Sequence, residues 1–134
     1  MKKSILFFLV AFLILSGATF GKSKENIEVL YFKAKQCACK TMTCNAIEDQ
    51  VKSVIDKEFQ NKNIEFKRVW LNEKENDALI QKYSAKPQTV VLVKMKKEKE
   101  TVTDLTEIVK DFATKQNKEK FETELKEKIS ASLK

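Results

Sequence analysis

Three cysteines fall within eight residues, Cys37, Cys39 and Cys44, and the 134-residue chain has no others. Just upstream, Ile27 to Phe32 is an apolar run of the kind that makes a buried strand. Downstream, Ile47, Val51, Val54, Ile55 and Phe59 recur at helical spacing, with Glu48, Asp49, Lys52 and Lys57 assigned to the opposite, solvent face. The thiols therefore sit where a strand hands over to a helix. A helix N-terminus presents unbonded N–H groups and a partial positive charge, and both stabilise a thiolate. That placement predicts an α/β domain with sulfur chemistry at the end of its first strand.

The first twenty residues read differently. Lys2 and Lys3 precede an unbroken apolar run, Ile5 to Leu15, followed by Ser16, Gly17 and Ala18. This is the pattern of a secretory signal peptide, expected over 1–21, with cleavage after Ala18 or Gly21 and the domain proper over 22–134. The run is short for a membrane span, which needs about 20 apolar residues, so no stable span is expected after cleavage; an uncleaved anchor is the alternative. Export to the periplasm or cell envelope puts the cysteines in an oxidising compartment, where an odd count leaves one thiol over. Losing Lys2 and Lys3 lowers the formal charge from +7 to about +5. The positive charge is nearly all lysine interspersed with acids, Arg68 being the one arginine. Arginine forks and interleaved aromatics are missing, which argues against nucleic acid as a partner.

The only glycines are Gly17 and Gly21. Phosphate-cradling loops of the GxGxxG or Walker kind are thereby excluded, and no cofactor is expected. Turns in the domain must be made with Asn, Asp, Lys and Ser. After the first strand and helix, Ile64 to Leu71 reads as a second strand. Asn72 is placed to cap a short helix over Lys74 to Ser84. Pro87 precedes a β-branched strand, Thr89 to Val93, and Lys96 to Glu100 reads as the turn into a returning strand, Thr101 to Leu105. A short helix over Glu107 to Ala113 follows. The last helix starts near Asn117 and buries Phe121, Leu125, Ile129 and Leu133. The order is β-α-β-α-β-β-α with one extra helical piece before the end. It is the order of the thioredoxin fold: a right-handed crossover, a hairpin and a closing helix around a mixed sheet of about four strands.

Val29-Leu30-Tyr31-Phe32-Lys33, Thr43-Cys44-Asn45-Ala46-Ile47-Glu48 and Tyr83 ahead of the hairpin carry a more specific likeness. Together they resemble an exported bacterial thioredoxin-like family catalogued as nitrophenyl compound nitroreductase subunit ArsF, over about Ile27 to Lys134. The resemblance implies a thioredoxin fold and a Cys-x-x-Cys-like centre. No flavin signature accompanies it, and the nitroreductase activity is not carried over. In the family pattern Cys44 is the second cysteine and the first falls at Thr41. Here the partner sulfurs lie upstream, so Cys39-x4-Cys44 replaces the usual spacing. The resemblance also puts Pro87 near the cis-proline that faces the redox pair, with a cis and a trans Lys86–Pro87 bond both open.

Three readings of the sulfurs stand side by side. In the first, the chain is a thiol–disulfide oxidoreductase acting on cysteine-containing proteins or small thiols, with Cys37 or Cys39 attacking and Cys44 resolving. Met42 and Pro87 would then line the place where substrate sits. In the second, the disulfide is a staple, although a loop this short contributes only about 2 kcal/mol. In the third, Cys37, Cys39 and Cys44 hold a soft ion such as Cu(I) or As(III). A catalytically inert interaction domain is the corollary of losing the cysteine at Thr41. With no histidine in the chain, proton transfer must fall to lysine, a carboxylate or water. Glu28 and Glu65 are the strand carboxylates, both expected to face solvent, and Trp70 is expected to pack on the sheet.

Overall fold

The computed structural model describes residues 25–35 and 38–134, with the backbone alone for 38–42. The signal-peptide expectation and Cys37 lie outside the described residues. The elements run β1 (Asn26–Lys33), α1 (Ala38–Glu58), β2 (Ile64–Trp70), a 3-10 turn (Lys74–Asn76), α2 (Asp77–Lys82), β3 (Val90–Lys96), β4 (Lys99–Asp104), α3 (Thr106–Lys115) and α4 (Lys118–Ser132). The four strands form one mixed sheet in the order β2-β1-β3-β4. β1 pairs parallel with β2, and β3 runs antiparallel to both β1 and β4. The α/β class and the four-stranded mixed sheet are as expected from the sequence. Among the described residues no helix is long and apolar enough to cross a membrane.

Alternation along β1 sorts its side chains onto two cores, because successive residues on a strand point to opposite faces. Val29 and Tyr31 join Ile47, Val51, Val54 and Ile55 of α1, Val109 of α3, and Phe121, Leu125 and Ile129 of α4. Leu30 and Phe32 meet Val69, Val91 and Val93 on the other face, covered by Leu79, Ile80 and Tyr83 from the α2 region. The helical spacings at Ile47–Phe59 and Phe121–Ile129 thus do what their period requires, whereas Leu133 lies past the end of α4 and is only partly buried. Asn117 caps α4 as expected, its side chain accepting from the Lys120 N–H at 3.0 Å.

Several boundaries differ from the sequence reading. α1 starts at Ala38, so Cys39 and Met42 lie within the helix and not at the handover from strand to helix, and Cys44 falls in its second turn. The second helix is split. A 3-10 turn precedes α2, Glu73 and not Asn72 occupies the position before it, and no side chain caps it. β3 continues to Lys96, which leaves a two-residue hairpin turn, Lys97-Glu98, in place of the longer one expected. Both turn residues have positive φ, 47° and 64°. This is the backbone of a type I′ turn, whose twist matches that of the strands and which Asn-Gly normally fills. Without glycine, Ser84, Gln88 and Gln116 take positive φ as well.

Candidate functional site

β1 ends on a lysine that points into the protein. Lys33 alternates onto the α1 face, and its side chain is 3% exposed. An isolated ammonium there would be strongly disfavoured, so its partners define the site. Nζ donates to the Glu48 carboxylate at 2.8 Å and to the Asn45 side-chain oxygen, both on α1. It also lies 5.6 Å from the Trp70 ring centroid, within cation–π range. Arg68, on the same face of β2, donates through Nε at 2.7 Å to the other oxygen of Glu48. Its guanidinium stands 5.6 Å from Trp70 and its side chain is 46% exposed. Parallel pairing explains the convergence: Tyr31 is in register with Arg68, and Lys33 with Trp70.

Glu48 is thus buried, 5% exposed, and not on the solvent face to which the charge pattern assigned it. Burial pushes its carboxyl up, but hydrogen bonds and charge from Arg68 and Lys33 outweigh that and hold it below the usual carboxylate range. It is therefore a fixed negative charge at neutral pH. Glu28 is partly exposed and ion-paired to Lys67, and Glu65 is exposed, as expected of both.

Cys44 lies one helical turn before Glu48 and is 4% exposed. The Tyr31 hydroxyl, beneath it, donates to the Cys44 carbonyl at 3.5 Å. Burial, with the nearby Cys44 and Glu48 charges, raises the Tyr31 phenol far above its ordinary value, so it remains a neutral donor. Pro87 occupies an exposed turn closed by the Thr89 N–H donating to the Lys86 carbonyl at 3.0 Å. That turn is sewn to β1 by Gln88 N–H to Phe32 O at 3.0 Å and Phe32 N–H to Thr89 O at 2.9 Å. The Lys86–Pro87 bond is trans, there being no cis peptide among the described residues. The structure thus brings the Cys44 backbone and the Pro87 turn to adjacent residues, Tyr31 and Phe32, at one end of β1. Cys39 and Met42 enter through the backbone of α1 only.

The residues that sequence reasoning missed are Lys33, Asn45, Glu48, Arg68 and Trp70 as a set. A signal was available: Glu48 precedes Val51 by three and Ile55 by seven, which is the core stripe of the helix. Together they form a buried carboxylate held between two cations at the carboxyl ends of β1 and β2. Open α/β sheets place their sites at such ends. The trio carries one surplus positive charge.

No protein-family model and no curated protein matches the chain. One solved structure, described as that of a malarial protein, is similar at 23% identity over 60% of this chain and 82% of its own, with a TM-score of 0.39. A likeness that distant carries no argument about fold or function.

Proposed function

We propose that the chain is an exported thioredoxin-like thiol–disulfide oxidoreductase acting on cysteine-containing proteins or small thiols. The observation that carries this reading is the position of Cys44. It is buried on the helix that follows β1, against Tyr31 and one turn from the Lys33–Glu48–Arg68 cluster. The sheet order β2-β1-β3-β4, with β1 parallel to β2 and β3 antiparallel to both its neighbours, supports the thioredoxin part of the reading, since it is the strand arrangement of that fold.

The chemistry proceeds in two exchanges. A thiolate of Cys37 or Cys39 attacks one sulfur of a partner disulfide, forming a mixed disulfide and releasing the partner's other sulfur as a thiolate. Cys44, as thiolate, then attacks the chain's own sulfur, closing an internal disulfide and expelling the second partner sulfur. Two electrons pass from the chain to the partner, and the two protons follow through solvent to the partner's thiolates. A buried sulfur suits the resolving role, because bulk thiols do not reach it. Glu48 holds Lys33 and Arg68 in place and keeps its charge throughout, so it positions the cluster and does not carry the proton.

The test is disulfide exchange with a small aromatic disulfide by the mature protein and by Cys44→Ser. The variant is expected to form the mixed disulfide and stop there, releasing one equivalent of thiol and failing to turn over. Full turnover by Cys44→Ser would remove the reading.

A further inference from the structure

We propose that closing a Cys39–Cys44 disulfide unwinds the start of α1, so that the oxidation state of the pair is read out as the length of this helix. The inference rests on the thiol–disulfide reading above. α1 is helical from Ala38, which places residues 39 and 44 five apart within one helix. At 1.5 Å rise and 100° per residue, Cα atoms five apart are about 8.7 Å from one another. A disulfide spans at most about 7 Å between Cα atoms. The bridge and the helix are therefore mutually exclusive over residues 38–43.

The helix beyond Cys44 is anchored, and the sequence before it is a poor helix former. From Cys44 onward α1 is fixed by the core, with Cys44, Ile47, Glu48 and Val51 all buried. Before it, the sequence favours the helix little. No acid occupies the first turn to complement the helix dipole, and Lys40 stands there instead. Thr41 and Thr43 are β-branched, and Thr43 is exposed. The segment that must yield is thus the one whose sequence favours a helix least. Oxidation is balanced by a small-molecule disulfide such as oxidised glutathione. Cys39 and Cys44 lose two electrons and two protons, one S–S bond forms in the chain, and the oxidant's S–S bond becomes two thiols. Reduced and oxidised forms then present different surfaces to a partner at the carboxyl end of β1.

The experiment equilibrates mature protein in a series of glutathione ratios, maps the disulfide by mass, and measures amide exchange by NMR in both forms. The amides of residues 42–47, which in α1 bond to carbonyls 38–43, are expected to lose protection on oxidation while those beyond residue 48 keep it. Far-UV ellipticity at 222 nm is expected to fall by about a tenth. Thr43→Ala and Thr43→Gly, an uncharged pair at an exposed site, should move the equilibrium oppositely. The oxidation constant is expected to be about fivefold higher in the glycine variant, which disfavours the helix by about 1 kcal/mol relative to alanine. A Cys39–Cys44 bridge with amides 42–47 still protected overturns the inference and leaves the thiol–disulfide reading standing, as does a Cys37–Cys44 bridge. No bridge to Cys44 at any ratio removes that reading and the inference with it.

Discussion

Glu48 and Asp111 are bound in the same way in two unlike places. Each is a carboxylate between two cations: Lys33 and Arg68 for Glu48, Lys115 and Lys120 for Asp111, at 2.5–2.9 Å. Both are held below the ordinary carboxylate range, Asp111 by hydrogen bonds from its two lysines. The difference is the solvent. Lys33 is 3% exposed in its side chain, whereas Lys115 is 61% exposed. In water the alternative to an ion pair is a hydrated ion, nearly as good; in the core the alternative is a bare charge. One arrangement therefore holds the fold in register at the end of β1, and the other decorates the α3–α4 surface.

The sharpest way to break this comparison is Glu48→Gln. It keeps the shape and removes the charge, leaving Lys33 buried with Asn45 and a neutral amide. Removing one partner of a buried pair costs about 3–5 kcal/mol, and a value near 3 is expected here because Arg68 can turn to solvent. Urea denaturation at pH 7 measures it. A loss below 1 kcal/mol would mean that the cluster behaves like a surface pair. Replacing both charges, Lys33→Met with Glu48→Leu, is expected to recover stability relative to Glu48→Gln, since no unpaired ammonium remains in the core.

The same variant predicts a pH dependence. A carboxyl whose folded pKa is lower than its unfolded value of about 4.5 contributes stability above that value. The contribution is lost as pH falls through the folded pKa. The gap between wild type and Glu48→Gln should therefore be widest at pH 7 and narrow progressively below about pH 4.5, as protonated Glu48 comes to resemble the amide. Urea midpoints at pH 7, 5 and 3 follow it; a gap that stays constant would mean that Glu48 is not the ionised partner of Lys33.

How much of this was legible in the sequence depends on the range of the interaction. Periodic burial is local, and so the strand at Ile27–Phe32, the faces of α1 and α4, and the hairpin could be read from spacing. The cap at Asn117 is local too. The pairing of Glu48 with Lys33 and Arg68 joins residues 15 and 20 positions apart through a parallel crossover, and spacing carries no trace of it. A charge-out, apolar-in reading sends Glu48 to solvent, although its place in line with Val51 and Ile55 says otherwise. The start of α1 was hidden for the opposite reason: threonine and cysteine are indifferent helix formers, and no cap or acid marks the first turn. The missing glycines likewise said that turns would fall to Asn, Asp, Lys and Ser, and only Ser84 and Lys97 among the left-handed positions agree. Gln88, Glu98 and Gln116 are not residues that turn chemistry nominates.

Backbone strain makes a second kind of surface site, against which exposure itself can be tested. Lys97 and Glu98 are exposed, yet both hold left-handed backbone conformations that cost a residue with a Cβ about 1 kcal/mol or more. Glu98→Gly relieves one of them and is expected to stabilise the protein by about 1 kcal/mol, raising the thermal midpoint by a few degrees. Calorimetry decides it. A midpoint that falls would show the turn to be relaxed with its native residues. An exposed position thus matters where the backbone is committed.

Asp111→Asn completes the comparison from its weakest end. The variant removes the carboxylate on which Lys115 and Lys120 converge, just as Glu48→Gln does for Lys33 and Arg68. Each lysine loses only a partner that water replaces, and each keeps its stem on the helix surface. Lys120 also retains Glu124 at 3.6 Å. The urea midpoint is expected to stay within measurement error of wild type. Raising salt to 1 M, where charges are screened over about 3 Å, should leave wild type and variant alike still closer together. A clear loss of stability in Asp111→Asn would mean that the α3–α4 contact depends on this bridge as well as on the Phe112–Phe121 stack, whose ring centroids are 4.4 Å apart. The contrast with Glu48 would then lie in the number of elements each carboxylate ties together, and burial would no longer account for it.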